Sequence, residues 1–502
     1  MENNSGIFTR IQETPENLKT VAKKKLNQPG WRFGHITARV TEAGSFVVET
    51  LLLNTREGKG LVIESLLPEN NPEYPSLTPD IPAAHRAERA LGDFFGITAK
   101  DHPHWHTLIL SSDAWEPDLT PLSPTCRGKR EPFLFTNVTG EGVHEIPVGP
   151  IHAGIIEPGH FRFSCAGEII THMDIRLGYQ HRGVEKRLTE INWQNTRFTA
   201  ESNSSDTAAG NALAHSIAIE QIADINPPER AQYLRTISLE LERLANHIGD
   251  MGALSGDIGF SAGAALFSQN RGYVLGMAQL LTGKRTQRYY IKPGGVSRDA
   301  DSSTLKKLAE NCIILKKTMK EHIPLVLENS AVIERMENTG ILSQRMAKDF
   351  GIVGPAGRAS GSGYDARTVF PHGVFPEYAP APAFYKTGDV LSRAKVKADE
   401  IFSSIEIIEK IIANIPAGEY ELKNLPSNLR PESYGIGITE AWRGELIHWI
   451  TTDSKGKISR YSIKDPSFNN WTGLGIAVRG NLVADFPLCN KSFNLSYSGS
   501  DL

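Results

Sequence analysis

Apolar and polar positions alternate over short stretches in the first hundred residues and then give way to helical spacing. Residues 33–40, 45–53, 60–67 and 107–111 are β-branched or alternating runs parted by Gly, Asn or Pro, which predicts strands. A Lys-rich helix is expected over Pro15–Leu26. A second is expected over 81–97, where Ala, Leu and Phe make one apolar face and Gly96 supplies the stop. Strands followed by a helix indicate a small α+β domain. The pattern breaks over 112–145, where Pro117, Pro121, Pro124 and Pro132 stand among acidic residues with few apolar ones, the composition of a linker. Beyond it, 161–165 and 168–173 predict two more strands, and helical character begins within 178–186.

The clearest helical period covers 228–250. Leu234, Ile237, Leu241, Leu244 and Ile248 recur at three- and four-residue intervals and mark a core-facing stripe. Asn226 is the expected N-cap and Gly249 the expected stop. Glu240, Glu242, Arg243 and His247 lie off the stripe, where they should be solvated or paired with neighbouring helices. Further helices are expected over Ser261–Thr282, 303–327, 343–350 and 389–415, and strands over 436–438, 447–451 and 459–463. The predicted fold class is α+β: a small N-terminal α+β domain, then a helical-bundle domain with small flanking β-sheets. No internal repeat is visible.

Composition narrows the function classes. The 502 residues carry a formal net charge of −3, so no global basic field argues for nucleic acid. The N-terminus has no apolar signal-like stretch, and no uncharged apolar run approaches the roughly 20 residues that span a bilayer. The expected location is the cytoplasm, with docking on a membrane partner left open. The four cysteines, Cys126, Cys165, Cys312 and Cys489, form no CxxC pair and are expected to be inert thiols rather than a disulfide framework or an all-cysteine metal site.

One stretch mixes Gly, His, Arg and Glu too densely for a packing element: Gly149 to Leu188, with GPIH, EPGHFR and GYQHRGVEK in turn. Together with PPERAQYLRTISLELERLANHIGDMG, GPAGRASGSGYDAR, EAWRGELIHW and RGNLVADFPL, it resembles the large subunit of energy-converting membrane-bound [NiFe] hydrogenases of the formate hydrogenlyase and hydrogenase-4 type, and the homologous D-type polypeptide of respiratory complex I. Upstream, Glu88-Arg89, Asp93-x-Phe95-Gly96-Ile97 and His102-Pro103 look like the signature of the C-type polypeptide of complex I, which braces the assembly and carries no cofactor. The resemblance implies a complex I C-type domain over 1–135, a linker over 136–145 and a large-subunit domain over 146–502.

In that family two CxxC pairs hold nickel and iron, because thiolate is soft, anionic and able to bridge two metals. Counting from the flanking blocks puts the ligand positions at Ser204, Thr207, Ser496 and Gly499, none of them cysteine, so no functional NiFe centre is expected. The family's C-terminal extension is removed after metal loading; with no metal to load, no such processing is expected here. Complex I also lacks the cysteines and binds quinone in the vacated cavity, but its His and Tyr contacts fall here on Pro158 and Ser205. His152 or His160, and Tyr179 or Tyr364, are the candidate substitutes. The oxygen-rich run Ser202 to Thr207 is more simply a polar loop or cap than a hard-cation site.

The resemblance leaves Glu157, His160, His181, Arg182 and Glu185 as relay or cavity candidates. Arg358, Asp365, Arg367 and Arg443 are candidates to support a bound acceptor, with Glu440 and Glu445 in the same late block. The bland alternative for these charges is an interior ion-pair network. The implied assembly has a small iron–sulfur subunit against the central domain and ion-translocating subunits in the membrane. The resemblance also implies a quinone-like acceptor in the cavity, with no cofactor expected on this chain itself. No Rossmann fingerprint is present, so any NAD(P)H contact belongs to another subunit. The rival is a catalytically silent scaffold, which would have its cavity filled by side chains.

Overall fold

The computed structural model of the chain describes residues 6–116, 118–123, 130–152 and 156–502; Pro117, Pro124 and Cys126 lie outside them. Near the N-terminus, Phe8–Gln12, Lys59–Leu67, Phe46–Asn54 and Trp31–Val40 form one sheet in that order. Its first pair is parallel and the others antiparallel. Only Phe8 of the first strand is buried, which is why its pattern escapes sequence reading. The central strand Phe46–Asn54 is buried along its whole length because both faces of the sheet are covered. Phe46, Val48 and Leu52 meet the helices Pro15–Leu26 and His85–Phe95, whereas Leu51 and Leu53 meet Ile436, Ile438 and Trp449 from the far end of the chain.

Residues 107–111 are not the expected strand. Leu108, Ile109 and Leu110 are buried, as an apolar run should be, but their amides do not enter a ladder. All three donate to Asp93 Oδ2, at 3.0, 2.6 and 3.1 Å, so a helix-borne carboxylate satisfies the backbone that a neighbouring strand would otherwise have paired.

The central helix spans Glu229–Asp257 and runs past Gly249, the expected stop. At Gly249 the missing side chain leaves room for Arg271, whose Cδ would lie 2.8 Å from an added Cβ. Nor does Asn226 cap this helix; Pro228 occupies the N-cap with no side-chain bond. Ser261–Thr282, Ser302–Leu327 and Val390–Asn414 complete the bundle around it, with Gln344–Asp349 as a short satellite. Strands Tyr434–Ala441, Gly444–Thr452 and Ile458–Lys464 form an antiparallel meander. Helix Ala208–Ala223 lies on it so closely that Cβ atoms at Gly435 and Gly437 would stand 2.0 and 1.9 Å from the carbonyl oxygens of Ala218 and Ala214.

A third sheet, Val143–Val148 with His160–Ala166 and Ile169–Arg176, carries the Gly-His-Arg-rich block. Its helix begins only at Val184. One hydrophobic cluster joins Phe46 and Phe95 to Ile450, Tyr461 and Leu502, so the N-terminal sheet and the C-terminal meander share a core. Cys165, Cys312 and Cys489 are buried, and burial pushes the thiols of Cys312 and Cys489 up to about 12 and 11. Among the described residues no helix is long and apolar enough to cross a membrane.

Candidate functional site

The two loops singled out as ligand positions meet. Ser204 precedes helix Ala208–Ala223, Ser496 caps the helix Tyr497–Asp501, and their hydroxyls are 3.0 Å apart. Ser496 Oγ also accepts from Gly499 N at 2.9 Å. Arg443, at the turn between strands Tyr434–Ala441 and Gly444–Thr452, reaches into the same space. Its guanidinium donates twice to Asp206, at 2.7 Å each, and to Thr207 Oγ1 at 3.1 Å and Ser204 Oγ at 3.5 Å. Its Nε donates to Asn494 O at 2.5 Å, and the group stacks 3.9 Å from the Trp442 ring. The side chain of Arg443 is only 4% exposed, whereas that of Asp206 is 38% exposed. Burial alone would raise the Asp206 carboxyl, but the guanidinium and the Ser204 and Thr207 hydroxyls hold it below its ordinary value.

This donor set does not fit a nickel–iron centre. Positions 204, 207 and 496 offer neutral hydroxyls and position 499 no side chain, while a permanent cation already stands among them. A Cβ at Gly499 would lie 2.5 Å from Asp465 Oδ2, a buried oxygen with no hydrogen-bond partner. Burial raises the Asp465 carboxyl.

The other candidates divide into three groups. Glu157 joins this clasp of Ser204, Asp206, Thr207, Arg443 and Ser496: its Oε2 accepts from Tyr497 N and Ser498 N, both at 3.1 Å. Arg182 is beside it, donating to Ser202 O and Asn203 O at 2.9 and 2.7 Å. His160, His181 and Glu185 are elsewhere. His160 is bonded through Nδ1 to Gly149 O and packs edge-on against Phe135; burial lowers its pKa. His181 Nδ1 bonds Asp501 O, and its ring lies between Phe94 and Trp115; burial lowers it too. Glu185 accepts from Ile463 N and pairs with Arg460, both at 2.7 Å. Tyr364 donates to Glu445 at 2.5 Å, while Tyr179 is exposed near Arg176. Ser205 is exposed.

Arg358, Asp365 and Arg367 belong to an interior network. Arg358 pairs with Glu400 at 2.7 Å and Glu440 at 2.8 Å, and Arg367 with Asp365 at 2.7 Å and Glu240 at 3.1 Å. Arg243 joins Glu240, and His247 Nε2 bonds Glu400 at 2.8 Å. Glu240, Glu242, Arg243 and His247 are therefore paired rather than solvated, and all four are buried. Burial would raise Asp365, but Arg367 and Arg358 bring it to about 2; at Glu440 burial and Asp365 prevail and raise it to about 7. Burial likewise raises Glu242 to about 8, although it accepts from Ala209 N and Gly210 N. Network and clasp adjoin at one turn, where Glu440 faces the first and Arg443 the second.

Several members carry no motif of their own in the sequence. Asp206 stands out there only as one of an oxygen-rich run. Arg393, Lys397, Glu400 and Ser404 recur at 4-3-4 spacing on helix Val390–Asn414, a polar stripe on a buried face that periodicity would have found. Lys397 pairs with Asp250 at 2.6 Å.

The same architecture recurs in known proteins. Residues 257–434 and 426–501 match the family described as respiratory-chain NADH dehydrogenase, 49 Kd subunit, and residues 11–131 the 30 Kd subunit. Formate hydrogenlyase subunit 5 of Escherichia coli is 32% identical, over 99% of this chain and 88% of that protein. The C/D polypeptide of NADH-quinone oxidoreductase from Phocaeicola vulgatus is 30% identical, over 82% of this chain and 83% of that protein. Among solved structures, a chain of the membrane-bound sulfane sulfur reductase, an archaeal respiratory membrane complex, superposes with a TM-score of 0.68 at 26% identity, covering 73% of this chain and all of that one. The chain belongs to the family of complex I-type 30/49 kDa subunits that includes formate hydrogenlyase subunit 5 and the C/D polypeptide of NADH-quinone oxidoreductase.

Proposed function

We propose that this chain is a soluble-arm subunit of a membrane-bound redox complex on the cytoplasmic face of the inner membrane, coupling electron transfer to ion translocation without a nickel–iron centre. The observation that carries the proposal is the Arg443 guanidinium bonded to Asp206, Thr207 and Ser204, where the family would place metal. The family's named members, from formate hydrogenlyase and NADH-quinone oxidoreductase, support the class of complex. In this reading electrons arrive from a small iron–sulfur subunit, and a quinone-like acceptor is bound beside the clasp. Glu157 and Arg182 are the candidates to meet it, because Glu157 accepts from Tyr497 N and Arg182 donates to Ser202 O beside the clasp.

A second reading is favoured by the same clasp. Loops joined through Ser204 and Ser496 and bridged by Arg443 suit a subunit that transmits conformational change and performs no redox chemistry. The decisive experiment is nickel and iron content of the complex purified with its partners, with hydrogen uptake and evolution assayed beside it. Iron without nickel or hydrogen turnover is expected; about one nickel per chain with hydrogen turnover would overturn the proposal. Neutralising Glu157, His160 and Arg182 one at a time separates the two readings. Quinone reduction unchanged in all three variants leaves only the conformational role.

A further inference from the structure

A surface beside the clasp is not accounted for by either reading. Phe198, on the short helix Thr196–Ala200, and Tyr289, in the loop after helix Ser261–Thr282, are each 38% exposed, and their rings meet edge-on at 5.3 Å. A cation covers each ring: Arg197 lies 4.4 Å from the Phe198 centroid and Lys284 3.8 Å from that of Tyr289. Arg285 is exposed on the same loop, and Arg288 is within electrostatic reach of both Glu201 and Arg182.

The acid among these cations, Glu201, is 1% exposed; its Oε2 accepts from Tyr289 N at 2.9 Å and its Oε1 has no partner. Arg197 Nη1 and both amide atoms of the buried Asn203 also lack partners. The loop holds two non-glycine residues in the left-handed region, Gln287 at φ 58° and Tyr289 at φ 68°. Such residues persist where surrounding contacts fix them. Here Ser238 Oγ donates to Gln287 Oε1 at 2.6 Å, and Glu201 holds Tyr289.

We infer that this cation-and-aromatic patch docks an acidic face of another protein subunit. The inference rests on the proposed membership in a multisubunit complex and names one contact surface within it. Charge complementarity selects an acidic occupant: cations flank both rings and the local carboxylate is buried. The two half-exposed rings select a protein rather than a small anion, because aromatic anchors flanked by Arg are what protein interfaces bury at their centres.

The test uses the purified complex and a zero-length carbodiimide, which joins a lysine amine only to a carboxylate it touches. The expected product links Lys284 to an Asp or Glu of another subunit and disappears in Lys284→Arg. Charge reversal at Arg285→Glu with Arg288→Glu is expected to lower recovery of that subunit at least tenfold, with the chain's far-ultraviolet circular dichroism unchanged. An intact complex with no such adduct, in which Lys284 is acetylated as fast as in the isolated chain, overturns the docking inference and leaves the complex itself standing. Binding to vesicles containing 30% phosphatidylglycerol, lost in the charge-reversed variant, with no protein adduct, overturns it in favour of a membrane. A chain that purifies without any partner overturns both this inference and the proposed function.

Discussion

The Arg443–Asp206 pair makes a quantitative prediction for Asp206→Asn. The substitution keeps the shape of the side chain and removes its charge, leaving a guanidinium that is 4% exposed without a counter-ion. Breaking a fully buried pair costs about 3–5 kcal/mol, and an exposed pair is worth about 0–1 kcal/mol. The pair is buried on the arginine side and 38% exposed on the other, and Arg443 keeps neutral acceptors in Asn494 O and Thr207 Oγ1. About 2 kcal/mol is therefore expected, roughly a 30-fold change in the folding equilibrium.

The assay is a double-mutant cycle by urea unfolding of wild type, Asp206→Asn, Arg443→Met and the double variant. The double variant should be little worse than either single one, giving a coupling of about 2 kcal/mol. Additivity within about 0.5 kcal/mol would refute the clasp as an energetic unit. Acid titration supplies an independent check. The folded-state carboxyl titrates below its ordinary value, so its contribution is complete above that value and is lost as pH falls through the folded one. The gap between wild type and Asp206→Asn should stay level from about pH 5 to 8 and close below about pH 4.

Other expectations can be checked by similar means. Asp93→Ala should cost about 3 kcal/mol or more, because it strands three buried amides at once; hydrogen exchange at residues 108–110 should accelerate far more than elsewhere in the N-terminal sheet. Glu440 has a folded-state value raised to about 7, so it stabilises the fold below the ordinary carboxyl range and loses that contribution as pH rises through the folded value. Wild type should lose stability relative to Glu440→Gln between about pH 5 and pH 7, and a gap constant across that window would show that the proton is held elsewhere. Gly499→Ala should destabilise by about 1–3 kcal/mol in thermal melts, because the new methyl meets Asp465 Oδ2 at 2.5 Å; an unchanged melt would mean that Asp465 can swing away.

Much of the architecture is legible in the sequence because period and punctuation agree. Pro15–Leu26 and Ser261–Thr282 have their expected bounds, and the Leu234 to Ile248 stripe is buried as its spacing requires. Local signals mislead where a long-range partner overrides them. At residues 107–111 a carboxylate replaces a strand neighbour, and at Gly249 an arginine from the next helix uses the space that would otherwise end a helix. Charges off the Leu stripe could face water or neighbours, and only tertiary partners such as Glu400 and Arg367 decide that choice. At the site, Asp206 and Arg443 are far apart in the chain, so neither the short oxygen-rich run nor the late EAWRGE block reveals that together they close it.

The core shared by the two ends of the chain has a consequence during synthesis. Arg32 pairs with Glu445, His35 Nε2 is 3.1 Å from Ser462 Oγ, and Arg460 donates to Ala38 O. The N-terminal sheet therefore leaves the ribosome with one apolar face waiting for strands some 400 residues downstream. At about 5–20 residues per second that wait lasts roughly 20–80 s, long enough for an uncovered sheet to aggregate. Covering it during translation is work for a chaperone, and the yield of soluble chain should depend on one more than the thermodynamic stability of the finished fold would suggest.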